Sequence, residues 1–306
     1  MTTAIVFPGQ GSQSVGMMQG FAAEPLVEET FRAAGELVGV DYWAMVNGGP
    51  AEALNQTVNT QPVMLIAGIA CWRAWRSRGG AMPAYFAGHS LGEYSALVAA
   101  GSIRFEDAVP TVRLRAQAMQ EAVPEGTGGI AAILGLDDAK LPELCAEAAQ
   151  GEVLEPANLN SPGQVVIAGH RGAVERAMAL AKEKGAKRAV MLPMSAPSHC
   201  SLMRPAAERL RARLAGIEVT KPAVPVVHNR SVEFYDDPDR IRAALVEQLD
   251  HPVRWIEIVQ FLASHGVDRI VECGPGKVLT GLNKRIAPEV AGVALQDSAA
   301  LDAALA

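Results

Sequence analysis

The chain has 306 residues, 49% hydrophobic and 20% charged, a balance ordinary for a soluble enzyme with room for a large core. Its formal net charge of −6 argues against nucleic acid as the main partner. No uninterrupted apolar stretch reaches the roughly 18 residues of a transmembrane helix, and Met1-Thr2-Thr3-Ala4-Ile5-Val6-Phe7-Pro8 lacks the basic and apolar regions of a signal peptide, so neither a membrane nor export is expected and the cytoplasm is the expected compartment.

Ala4 to Phe7 reads as a buried first strand, ended by Pro8-Gly9. Helical patterns follow from Pro25 to Val38 and from Pro62 to Arg78. Ala84-Tyr85-Phe86-Ala87 is short and apolar enough for a second buried strand, and the Ala- and Leu-rich run from Leu91 to Ala100 is a helix stopped by Gly101. The next helix spans Phe105 to Val123, and Pro110 is expected to start or kink its regular part. Between 125 and 193 the order is strand (Gly129 to Leu136), helix (Asp138 to Ala149), strand (Val153 to Leu159), strand (Gln164 to Ala168), helix (His170 to Lys184), strand (Arg188 to Leu192), with Asn160-Ser161-Pro162-Gly163 as the turn. That β-α-β-β-α-β order is the ferredoxin-like split, read as an inserted subdomain. Late apolar strands at Val224 to Val227 and Arg269 to Val271 complete an α/β core with a mostly parallel sheet, assigned to 1–124 and 194–306. A ligand is expected in the cleft between core and insert.

Gly88-His89-Ser90-Leu91-Gly92 is a G-x-S-x-G sequence set between a strand and a helix, the context of a nucleophile elbow. A sharp turn there lifts the Ser90 hydroxyl off the sheet and sets it beside a helix N-terminus. A serine nucleophile needs a base. Among six histidines, His199, in a loop after the insert, is the best placed by context, with a capping or core role as the alternative; His89, adjacent to Ser90, is expected to support the turn. An unperturbed histidine base would give the rate an acid limb near pH 6–7. Val112, Arg115 and Met119 share one apolar helix face, so Arg115 needs an anionic partner: a structural carboxylate or a substrate carboxylate. The loop Phe7 to Gln13 matches no nucleotide-binding pattern, and could lend a backbone N–H to an oxyanion hole. Cys71, Cys145, Cys200 and Cys273 are scattered, with no C-x-x-C, so no metal site is expected and buried free thiols are.

These segments resemble the malonyl-CoA:acyl carrier protein transacylases of bacterial fatty-acid synthesis. The resemblance runs through Phe7-Pro8-Gly9-Gln10-Gly11-Ser12-Gln13, Thr60-Gln61-Pro62, Gly88 to Tyr94, Asn160 to Gln164, Pro197-Ser198-His199-Cys200 and Gly274-Pro275-Gly276-Lys277. It implies an α/β-hydrolase-like core with a ferredoxin-like subdomain, a Ser90 nucleophile, a His199 base oriented by the Gln248 carbonyl, an oxyanion hole from the Gln10 and Leu91 amides, and Arg115 gripping the malonyl carboxylate. Leu91 after the serine is typical of malonyl-selective members. The implied reaction is ping-pong: malonyl-CoA acylates Ser90, and the phosphopantetheine thiol of acyl carrier protein takes the malonyl group. Malonyl-CoA is then a substrate, no cofactor is called for, and a monomer is expected. Carrier protein is acidic, so Lys182, Lys184, Lys187 and Arg188 at the insert's end, with Lys277, Lys284 and Arg285, are candidates for its docking. A serine esterase or thioesterase, and a non-catalytic carrier-protein binder, are the rival readings.

Overall fold

The computed structural model describes residues 1–194 and 196–306. In chain order the elements are β1 (Thr3–Phe7), α1 (Pro25–Val38), α2 (Tyr42–Gly48), α3 (Ala51–Leu54), α4 (Thr57–Ser77), β2 (Tyr85–Gly88), α5 (Gly92–Ala99) and α6 (Phe105–Glu121). Then come β3 (Gly128–Leu134), α7 (Leu141–Ala149), β4 (Leu154–Ser161), β5 (Gln164–His170), α8 (Arg171–Glu183) and β6 (Arg188–Met191). The chain continues with α9 (Arg204–Ala215), β7 (Val226–Val227), α10 (Pro238–Glu247), α11 (Trp255–Ser264), β8 (Arg269–Cys273), α12 (Val278–Ile286), β9 (Ala291–Leu295) and α13 (Ser298–Leu305).

Two sheets result. The larger runs β7-β2-β1-β8-β9 and is parallel throughout. Ala4, Ile5, Val6 and Phe7 are all buried, as a strand covered on both faces requires. The smaller runs β4-β5-β3-β6 and is antiparallel, with α7 and α8 against one face through Leu144, Val174 and Ala177. Its other face joins the rest of the molecule through Ile130, Val166, Ala168 and Cys200. The fold is thus a mixed α/β structure with a parallel sheet and a smaller antiparallel one, as the sequence led us to expect.

Three local expectations change. Helix α4 begins at Thr57, so Pro62 lies inside it rather than at its start, and Pro110 lies inside α6. Each proline is the sixth residue of its helix, where it forfeits one intrahelical hydrogen bond. The α4 residues around Pro62 are buried on every side, and this packing holds the helix despite the lost bond. The strand expected over Val224 to Val227 is only Val226–Val227, and β9, which sequence periodicity did not reveal, closes the opposite edge.

What this order does for function is geometric. β1 and β2 lie side by side, so the loop after Phe7 and the turn after Gly88 emerge together at the carboxyl ends of their strands. Beside β1 on its other flank, β8 delivers the Gly274 to Lys277 loop to the same end. Crevices of this kind, where connections diverge from a parallel sheet, are where ligands bind.

Candidate active site

The turn between β2 and α5 is built to be tight. A Cβ on Gly88 would sit 1.9 Å from the Gly92 carbonyl, and one on Gly92 would sit 2.1 Å from the Phe7 oxygen. A side chain at Gly88 would break open the turn, and one at Gly92 would push it off the end of β1. Between them Ser90 has φ of +51°, a left-handed conformation that non-glycine residues seldom adopt and that surrounding structure must impose. The sequence expectation of a strand–turn–helix around Ser90 is met.

His199 lies 109 residues away and meets Ser90 directly: Ser90 Oγ to His199 Nε2 is 2.7 Å. The histidine is itself left-handed, with φ of +64°, and its backbone N–H donates to the Leu249 oxygen at 2.9 Å. Its Nδ1 is 2.8 Å from the Gln248 carbonyl oxygen. Because a carbonyl only accepts, Nδ1 carries the proton, and Nε2 offers its lone pair to the serine. Burial and then the Arg115 charge pull the His199 pKa down to about 3, against the opposing pull of the Gln248 carbonyl. The imidazole is therefore neutral near pH 7, and a histidine base placed here would not give an acid limb near pH 6–7. Cys200, next in the chain, donates to the Pro197 oxygen, and burial pushes its thiol up to about 12, which removes it as a rival nucleophile.

Arg115 is a buried cation that lines the cavity. Val112, Arg115 and Met119 are all buried, as their shared helix face implied. Arg115 Nη1 donates to Gln61 Oε1 at 2.5 Å, and Nη2 to Gln248 Oε1 at 2.9 Å and to Ser90 Oγ at 3.3 Å. Among the described residues no carboxylate lies within ion-pair distance of it, and its Nε has no partner. The guanidinium stacks over the Tyr94 ring, 5.6 Å from its centroid. A buried cation whose hydrogen bonds all go to neutral groups, with the Glu93 carboxylate acting on it only from beyond ion-pair distance, is an unfinished ion pair beside a hydroxyl. The structural-carboxylate alternative raised by the sequence is not what the fold provides.

These groups line a cavity of about 160 Å³, with Gln10, Leu91 and Met119 on the core side and Ile130, Asn158, Asn160 and Val166 on the antiparallel sheet. The backbone N–H groups of Gln10 and Leu91 donate to no acceptor among the described residues. His89 does support the turn: its Nε2 is 2.8 Å from Asn160 Oδ1, tying the elbow to β4.

With this geometry established, likeness to known proteins is informative. The acyl transferase domain family matches residues 4–296. A malonyl CoA-acyl carrier protein transacylase of Salmonella typhimurium is 58% identical over 303 residues, covering 99% of this chain and 98% of that relative. The chain belongs to the malonyl CoA-acyl carrier protein transacylase family. An acyl-carrier-protein S-malonyltransferase structure from Burkholderia pseudomallei superimposes with a TM-score of 0.98 at 56% identity, covering 100% of this chain and 99% of that one. A malonyl-transacylase in complex with a type II polyketide acyl-carrier protein gives the same TM-score at 52% identity, with the same coverage of both chains.

The basic residues divide. Lys187, whose stem packs against Gly135, and Arg285, whose Nη1 donates to Gln164 Oε1 at 2.9 Å, flank the same turn, since Gly163 also touches Gly135. Gln164 lines the cavity, so this is its rim. Arg188, Lys277 and Lys284 are exposed. Lys184 is paired with Glu143 at 2.8 Å and Glu147 at 2.9 Å. Sequence reasoning gave no part to Gln61, Glu93, His228 or Asn229, all buried around the elbow. Gln61 and Glu93 lie in segments that carry the resemblance, but only the fold shows what they touch, and nothing in the sequence marks His228 or Asn229.

Proposed function

We propose that this chain moves a malonyl group from malonyl-CoA to the phosphopantetheine thiol of acyl carrier protein through an acyl-enzyme on Ser90. The observation that carries the reading is Arg115: a buried guanidinium with no carboxylate within ion-pair distance among the described residues, whose Nη2 is 3.3 Å from Ser90 Oγ. An acyl group attached to Ser90 and ending in a carboxylate would supply the missing anion, and the planar fork would fix its orientation.

The reaction follows from the hydrogen bonds. His199 Nε2 takes the Ser90 proton as Oγ attacks the thioester carbonyl. The oxyanion of the tetrahedral intermediate accepts from the free N–H groups of Gln10 and Leu91. Collapse breaks the C–S bond, and the imidazolium returns its proton to the CoA sulfur. In the second half, His199 takes the proton of the carrier-protein thiol, sulfur attacks the Ser90 ester carbonyl, collapse breaks the C–O bond to Ser90, and the proton goes back to Ser90 Oγ. A carbonyl behind the histidine suffices where many serine enzymes use a carboxylate, because a thiolate leaves readily. A bound malonyl carboxylate would also cancel the Arg115 charge that helps depress His199, so the base strengthens when the right acyl group is present.

The decisive measurement is the intact mass of the protein after mixing with malonyl-CoA. A stable malonyl adduct mapped to Ser90, discharged by carrier protein, is the expected result. Rapid release of free malonate would make the chain a hydrolase, and no adduct would make it a binder. For carrier-protein docking, the rim around Lys187 and Arg285, with Arg188 and Lys284, is the proposed surface.

A further inference from the structure

Ser90 holds its left-handed conformation without a glycine, so something must secure it. The Asn229 side chain spans the turn from behind. Its Oδ1 accepts from the Ser90 N–H at 2.7 Å, and its Nδ2 donates to the Gly88 oxygen at 2.6 Å. Asn229 thus completes the peptide hydrogen bonds on both sides of His89, as a piece of neighbouring strand would. The asparagine is seated in turn: its own N–H donates to Glu93 Oε2 at 3.0 Å. Glu93, in the first turn of α5, also accepts from Gln248 Nε2 at 2.8 Å and lies 2.7 Å from His228 Nδ1. All four residues are at most 1% exposed, and none lines the cavity. A carboxylate is buried this deeply only at a cost that its donors must offset, so the cluster has a fixed geometry or none.

We propose that Asn229, seated by Glu93, is a positioning residue for the reaction: its amide holds the Ser90 peptide in the conformation that aims Oγ at His199 Nε2. The inference rests on the acyl-enzyme reading above. No other side chain of this size offers a donor and an acceptor in one plane. Aspartate keeps the acceptor for Ser90 but turns an oxygen toward the Gly88 oxygen; alanine keeps neither.

The test is rapid-quench acylation by malonyl-CoA in the full-length wild type, Asn229→Ala and Asn229→Asp, with circular dichroism to confirm folding. The alanine variant is expected to acylate about ten- to a hundredfold more slowly, with KM within about threefold, because substrate contacts are untouched and one buried acceptor and one donor are lost. The aspartate variant, which sets an oxygen against the Gly88 oxygen and a second buried carboxylate near Glu93, should be at least as slow as alanine. Acylation of folded Asn229→Ala within about threefold of wild type, a loss carried by KM, or an aspartate variant as fast as wild type would each overturn the proposal. If the alanine variant does not fold, Asn229→Asp against wild type is read by the same thresholds. Failure of the wild type itself to form an adduct at Ser90 would instead overturn the acyl-enzyme reading, and this inference with it.

Discussion

Among the described residues, every ionisable side chain lining the cavity comes from outside the antiparallel sheet: His89, Arg115 and His199. The antiparallel sheet presents Ile130, Asn158, Asn160, Gln164 and Val166 to the same space. The difference has a physical root. Chemistry needs charges and strained turns held to fractions of an ångström, and these sit against strands buried on both faces, where Phe7, Trp72 and Phe86 pack as one cluster. The antiparallel sheet has its own core around Ile133, Leu144 and Ile167, so it contributes shape and neutral hydrogen bonds, and it touches the elbow through the Asn160 contact with His89. Backbone hydrogen bonds also couple the two: the Leu159 N–H donates to the Val253 oxygen and the Val253 N–H to the Ala157 oxygen, at 2.9 Å each, five residues beyond Gln248.

The comparison predicts that replacements on the parallel-sheet side remove chemistry. Ser90→Ala should still bind malonyl-CoA but form no covalent adduct, and transfer should fall below about a thousandth of wild type. Adduct formation in that variant, seen by intact mass, would move the nucleophile elsewhere. His199→Ala should slow acylation by about two to four decades. In the wild type the acylation rate should stay flat as pH falls from 8 through the ordinary histidine value of 6.5, since burial and Arg115 hold His199 down to about 3. The sign for stability follows. Below pH 6.5 the unfolded chain takes up a proton that folded His199 refuses, so stability is full above 6.5 and is lost as pH falls toward about 3. His199→Gln should flatten that acid decline in urea melts at successive pH values; an unchanged decline would mean that His199 is not the group responsible.

Arg115→Ala breaks the comparison at its charged end. Removing one partner of a buried pair costs on the order of 3–5 kcal/mol, or roughly a few hundred- to a few thousandfold in kcat/KM, and the loss should fall on malonyl-CoA. Acetyl-CoA has no carboxylate, so for it the guanidinium is an unpaired buried charge, and the variant should keep or gain acetyl transfer. Arg115→Lys should recover only part, since a point charge cannot make the fork. Equal losses with both thioesters would make Arg115 structural.

How far the sequence revealed this site depends on the range of the interaction. The elbow was legible because its causes are local: two glycines, a strand before and a helix after. Arg115 was legible as an oddity, a cation on the apolar face of Val112 and Met119, but not its partners, because Gln61 and Gln248 lie 54 and 133 residues away. Nothing in a lone asparagine at 229 signals a clip on Ser90 across 139 residues. The left-handed His199 was equally hidden, since no glycine marks it. Pro62 misled for the opposite reason: a local helix-start signal was overridden by burial along α4. Roles for Gln10, Leu91 and Gln248 came from resemblance, not from spacing.

On the antiparallel side the expected effects are smaller and of another kind. Asn160→Ala removes the acceptor for His89 Nε2 and one neutral polar group from the cavity wall. A neutral hydrogen bond is worth about 1 kcal/mol, so KM for malonyl-CoA should rise about fivefold while kcat stays within about threefold. A tenfold drop in kcat at saturating malonyl-CoA would place part of the chemistry on the antiparallel sheet and end the division drawn above.

The smallest effect is expected at the rim, where the two sheets meet solvent. Arg285 on α12 reaches Gln164 at the start of β5, so one side chain crosses from core to antiparallel sheet at the cavity mouth. Lys284 beside it is exposed, and Lys187 lies across the Gly135–Gly163 contact. A positive rim on a chain of net charge −6 can steer an acidic carrier protein only locally, within a Debye length of about 10 Å at 0.1 M salt. Exposed charges are individually weak, so Lys284→Glu with Arg285→Glu should raise the carrier-protein KM by only about three- to tenfold, and the increase should shrink as salt is added. Self-acylation by malonyl-CoA never involves the carrier protein, so its rate should stay within about twofold. The two half-reactions, measured separately at low and high salt, therefore carry the test. If both slow equally, the double reversal has disturbed α12 or the Gln164 contact, and the rim has no special part in docking.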